Sequence, residues 1–146
     1  MDRISRLVIF TAAVVIVSSC TNDVLDASYA THAEAVAAGA IKRGWIPSWV
    51  PPEATELREV HKADTSESAL LFSLPGNLHW TPPASCRLAD PGEFSEPVIH
   101  RSWLPDTSGY TFYSCPSGAT GSVPIITAIA VRPDGKSVLH WRAFAR

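Results

Sequence analysis

The chain is poor in sulfur, with three cysteines and one methionine in 146 residues. So few cysteines exclude a disulfide-dense scaffold and a cysteine-built zinc cage. No apolar run is long enough to cross a bilayer. The run at residues 7–17 would rise only about 16 Å as a helix, against a hydrocarbon core of roughly 30 Å. Neither sign of charge is in excess: 12 basic and 14 acidic residues give a net charge of −2. That balance excludes the basic footprint of a nucleic-acid binder and a polybasic membrane patch. Catalytic signatures are missing too. There is no HExxH, no GxSxG, and Gly118-Ala119-Thr120-Gly121 lacks the GK[ST] ending of a phosphate loop. No repeat or low-complexity tract appears. Proline and tryptophan, by contrast, are plentiful at 12 and five, and predict a loop-rich fold pinned by large aromatic side chains.

The N-terminus carries the most specific pattern. Asp2, Arg3 and Arg6 precede the short apolar run, and Val17-Ser18-Ser19-Cys20 follows it. A charged start, a short apolar stretch and small residues before a cut form a secretory signal. With a cysteine directly after the cut, this signal resembles that of a bacterial lipoprotein. The resemblance implies that residues 1–19 are removed and that Cys20 becomes the lipidated first residue. An uncleaved anchor, or a plain secretory signal with an incidental cysteine, is the plainer alternative. Thr21 after the cysteine resembles outer-membrane sorting, so the expected place is the outer membrane, facing the periplasm. The mature part keeps 127 of 146 residues, enough for one domain. It loses Arg3, Arg6 and Asp2, leaving 10 basic and 13 acidic residues, net −3.

With Cys20 assigned to lipid, Cys86 and Cys115 remain. In an oxidising compartment such a pair is most simply a disulfide. The two lie too far apart for the close spacing of a zinc site, and no signature marks either as a catalytic thiol.

Residues 20–28 read as a lipidated polar tether and 29–146 as a single domain. Thr31 and Glu34 form a capping box for a helix rich in alanine. Lys42, Arg43 and Gly44 suit its C-terminus. Gly44-Trp45-Ile46-Pro47 and then Pro51-Pro52 make an extended crossing that inserts Trp45, Ile46 and Val50 into the core. Together with Glu59-Val60-His61 and Asp64-Thr65, these segments resemble a group of small bacterial envelope proteins with a YbbD head-like domain, over about residues 29–75. The resemblance implies an envelope protein and brings no activity with it. Residues 57–62 and 67–74 read as a hairpin, and 78–108 as a long connection punctuated by prolines. Strands follow at 109–115, at 123–131, apolar on both faces, and at 137–145 after the Pro133-Asp134-Gly135 turn. The expected fold is α+β, with the N-terminal helix packed on a small antiparallel sheet.

No residue set points to catalysis, a metal or a cofactor. His61 reads first as a strand-end histidine bonded to a turn carboxylate, and His140 as an outward-facing residue. Glu53, Glu56 and Glu59 read as a solvated strand edge. Trp49 and Trp80, each beside prolines, are the candidates for an exposed binding surface. The sequence therefore predicts a membrane-anchored, non-enzymatic domain that binds an unknown envelope protein. A small envelope hydrolase and a periplasmic immunity protein are the alternatives. A cleft setting His61 or His100 against a carboxylate and a hydroxyl would favour the hydrolase.

Overall fold

The computed structural model describes residues 23–65, 67–120 and 123–144. The signal segment and Cys20 lie outside them. Seven strands form one antiparallel sheet: β1 (Val24–Thr31), β2 (Thr55–Lys62), β3 (Ser68–Ser73), β4 (Arg87–Ala89), β5 (Thr111–Thr120), β6 (Val123–Val131) and β7 (Ser137–Phe144). Their spatial order is β1-β2-β3-β7-β6-β5-β4. The expected α+β architecture is corrected by this arrangement. The sheet dominates, and the described residues hold one α-helix, α1 (His32–Ala37), only six residues long.

The helix start keeps one half of the predicted capping box and moves the other by one residue. Thr31 Oγ1 accepts from the Glu34 amide at 3.2 Å, and the Glu34 carboxylate accepts from the Ala30 amide at 2.8 Å. It stops early because Gly39 takes a left-handed conformation, φ +75°. The amides of Ala40 and Gly39 then bond back to the carbonyls of Ala35 and Val36, a Schellman closure. Gly44, also at φ +75°, repeats the closure five residues later, with Trp45 and Gly44 bonding back to Ala40 and Ile41. The alanine-rich run favours continuation, but a residue without Cβ makes termination inexpensive at both sites.

The tether is corrected as well. Its residues 24–28 are not free linker, because they belong to β1, which pairs with β2 from Val24↔Lys62 to Thr31↔Thr55. The two sequence-predicted hairpins are present, β2–β3 and β6–β7, and β3 joins β7 in the middle of the sheet.

Both faces of the sheet are covered. On the front, Leu57, Leu70, Phe72, Ile129 and Val138 pack beneath Ala35, Ala40, Ile46 and Val50. On the back, Val60, Ala128, Leu139 and Trp141 pack beneath Phe94 and Ile99 from the proline-rich connection. Two contacts hold that connection down. Trp141 Nε1 donates to the Ser95 carbonyl at 3.0 Å. Arg101 donates from Nε and Nη2 to the two oxygens of Asp26, each at 2.8 Å, which holds the Asp26 carboxyl below the usual carboxylate range. Cys86 and Cys115 are joined in a disulfide with Cα atoms 4.2 Å apart. It fastens the chain just before β4 to β5.

Candidate functional site

Alternation along β2 sends Leu57, Glu59 and His61 to the front face. A bulge between Thr55 and Arg58, with Glu56 at φ +52°, precedes them. Leu57 is apolar and belongs there. Glu59 is a carboxylate at 1 % exposure, and His61 stands beside it at 7 %. Their side chains meet at 2.9 Å, His61 Nδ1 to Glu59 Oε2. The second carboxylate oxygen, Oε1, is buried with no partner among the described residues. Burial pushes the Glu59 carboxyl up, while the His61 hydrogen bond pulls against that shift.

The loop after Gly44 closes over this pair. The Trp45 ring stacks on the His61 imidazole, with centroids 4.5 Å apart and planes 25° from parallel. The Arg43 guanidinium lies over the same indole at 3.9 Å and donates to the Ala38 carbonyl. Two groups this close to one ring centroid cannot share a face without overlapping. The order is therefore Arg43, Trp45, His61, Glu59, a continuous stack running from solvent into the core. A cation on an indole contributes about 0.5–1 kcal/mol at such an exposed site.

All four members of the stack fall in one segment. Residues 23–73 match the family model of the YbbD head domain. The match covers 51 of the 146 residues. In this structure the matched segment supplies α1, β1, β2, β3 and the tryptophan loop. Strands β4 to β7, the back-face connection and the disulfide lie beyond it. No curated protein and no solved structure matches the chain.

Two clefts flank Trp45 at the rim of the matched segment. One, about 400 Å³, is walled by Arg43, His61, Lys62, Thr65 and Glu67. The other, about 300 Å³, is walled by Ile46, Trp49, Thr127 and His140. Trp45, Ser68 and Arg142 line both. A third cleft, about 360 Å³, lies on the back face under the proline-rich connection, with His100, Asp106 and Trp141 in its wall. There Ser108 already occupies Asp106, donating from its amide and its hydroxyl. Among the described residues no group of three or more His, Cys, Asp or Glu is placed to hold a metal ion.

The sequence-predicted site residues fare unevenly. Trp80 is not an exposed binding surface: it is buried at 7 %, edge-on to Tyr113. Trp49 is half-buried, packed edge-on against Trp80 and His140, and keeps one side in the second cleft. Trp45 is less deep than expected, and its neighbour Ile46 takes the core position at 0 % exposure. His61 is bonded to Glu59 of its own strand rather than to a turn carboxylate. Glu59 leaves the solvated edge to which its acidic neighbours suggested it belongs. His140 is buried at 4 % exposure, with Nδ1 unpartnered among the described residues. Burial, with the Arg142 charge adding to it, pushes its imidazole down to about 3, so it is neutral. The alternation Leu57-x-Glu59-x-His61 was the available signal for the buried pair.

Proposed function

We propose that this chain is a lipid-anchored bacterial envelope protein whose single domain binds a partner and performs no catalysis. The lipobox-like Val17-Ser18-Ser19-Cys20 supports the anchor, and the YbbD head match supports the domain. The observation that carries the non-catalytic part is the closed stack. Trp45 covers one face of His61, Glu59 takes its Nδ1, and no hydroxyl or thiol among the described residues is hydrogen-bonded to the ring. A general base needs its substrate proton within reach. Here the imidazole is used to seat the tryptophan loop and to partner a buried carboxylate. The clefts on either side of Trp45 are the surface offered to a partner in the periplasm.

A hydrolase is the second reading, favoured by one observation: the cleft that holds His61 beside Glu59 is also walled by Thr65 and Ser68. Affinity capture of the full-length protein from envelope membranes, with mass spectrometry of its partners and of its own N-terminus, separates the two. Binding predicts an acylated Cys20 and the same partner for wild type and a folded His61→Asn variant. An unmodified Cys20 sinks the anchor. Ester or peptidoglycan turnover that disappears in His61→Asn at unchanged thermal stability sinks the non-catalytic reading.

A further inference from the structure

Strand β7 is interior, between β3 and β6, and an interior strand normally turns apolar side chains to a covered face. On the front face of β7 Val138 does so, but His140 and Arg142 follow it, and one row across the sheet is polar. Arg142 pairs with Thr127 on β6, and on β3 Ser68 lies one residue before Ala69, the partner of Trp141. The tryptophan loop stops short of covering this row, and the second cleft is the space left. Its far wall is the side of Trp49, and its base includes His140.

The cations at this rim are not equivalent. Lys62 is paired with Glu67 at 2.8 Å. Arg43 is spent on the Trp45 ring and the Ala38 carbonyl. Arg142 has neither a carboxylate nor a hydrogen-bond partner among the described residues, and it sits where the two clefts meet. His140 lines the same cleft, and its buried Nδ1 is likewise unpartnered among them. An unpaired guanidinium and two residues bearing hydroxyls thus line one opening with an indole wall and the His140 ring at its base. In a chain of net charge −2, this opening carries an unpaired cation.

We propose that this cleft binds an organic carboxylate, its two oxygens received by the Arg142 fork and by the Ser68 and Thr127 hydroxyls, its apolar body against Trp49. The planar, bidentate geometry of a guanidinium matches a carboxylate. One committed cation, with no helix N-terminus beside it, suits a monoanion better than a phosphate. This inference rests on the reading above that the domain binds rather than transforms its ligand.

The test uses the full-length protein in detergent. Tryptophan fluorescence and calorimetry follow titration with N-acetylalanine, its uncharged amide, the dipeptide N-acetylalanylalanine, and inorganic phosphate. The proposal expects both carboxylates to bind and the amide to bind at least about tenfold more weakly, since a charged hydrogen-bonded pair is lost. A tighter dipeptide identifies a chain terminus as the natural source; equal affinities identify a free acid. Arg142→Gln is exposed enough to fold normally and should lose about tenfold or more, while Arg142→Lys loses less. Equal binding of acid and amide, preference for phosphate, or an unaffected Arg142→Gln overturns the proposal. If Arg142→Gln abolishes nothing while partner capture persists, only this inference falls; His61-dependent turnover would instead remove the reading beneath it.

Discussion

The imidazole of His61 stands between an indole and a buried carboxylate, 4.5 Å from the centroid of Trp45 and 2.9 Å from Glu59. Removing either partner has a different consequence. His61→Ala leaves the Glu59 carboxylate buried and alone, which costs about 3–5 kcal/mol. Glu59→Gln keeps a carbonyl oxygen able to accept from Nδ1 and removes the buried charge. Its stability should stay within about 1 kcal/mol of wild type. Chemical denaturation of the two variants measures both numbers, and equal losses would show that the charge itself matters to the pair.

Acid and base act on the buried groups with opposite signs. His140 has a folded pKa of about 3, below its unfolded value of 6.5. Its contribution to stability is therefore full above about pH 6.5 and is lost as pH falls toward 3. The slope reaches about 1.4 kcal/mol per pH unit for one proton. Glu59 has a raised pKa, so its contribution is full below its unfolded value of 4.5 and is lost as pH climbs through the folded value. Denaturation midpoints across pH 4–7 should fall toward acid in wild type and flatten in His140→Leu. An unchanged acid slope in that variant would place the sensitive group elsewhere.

The disulfide closes a loop between residues 29 positions apart. In the chain-entropy model such a loop contributes about 3–4 kcal/mol. Cys86→Ser with Cys115→Ser should lower stability by that amount. The back-face connection should also become more open to protease, since the pairing of β4 with β5 loses its covalent support and the Trp141 and Arg101 contacts lie farther along the chain. A double variant as stable as wild type would show that those contacts suffice.

Gly39 is both left-handed and crowded. A Cβ there would stand 3.1 Å from Arg43 Nη1, whereas one at Gly44 would meet nothing within 4 Å. Each alanine substitution should cost about 1–2 kcal/mol for the backbone alone. Only Gly39→Ala should also push Arg43 off the indole, seen as a shift in tryptophan emission. Identical spectra for the two variants would show that the guanidinium has room to give way.

What could be read from the chain followed local rules. Strand β7 is legible from alternation, β6 from an apolar run of strand length, the bend between them from Pro133-Asp134-Gly135, and the Cys86–Cys115 pair from counting. The misreadings have nonlocal causes. Helix propensity in the alanine run was outvoted by Gly39, whose left-handed turn closes five residues before the glycine expected to cap the helix. Strand β1 has no clean apolar alternation because it sits at the sheet edge, where Val24, Ala27 and Tyr29 are only partly covered. A polar residue on a strand normally faces water, which on sequence grounds puts Glu59 and His140 in solvent. The sheet is covered on both sides, so polarity did not report exposure.

The early start of β1 changes how a lipid on Cys20 would act. Four Cα steps separate Cys20 from Val24, at most about 14 Å of chain. A nine-residue tether would have reached roughly twice as far. With so short a leash the domain of a lipidated chain would stay close to the bilayer. The edge of the sheet where β1 begins, pinned to the Ala63 amide through the Asp23 carbonyl, would ride just above the headgroups. Leu25, Lys62 and Ala63 belong both to that edge and to the larger cleft beside Trp45. The cleft would then open low, near the membrane plane, and favour partners that arrive along the surface over those that arrive from the bulk periplasm.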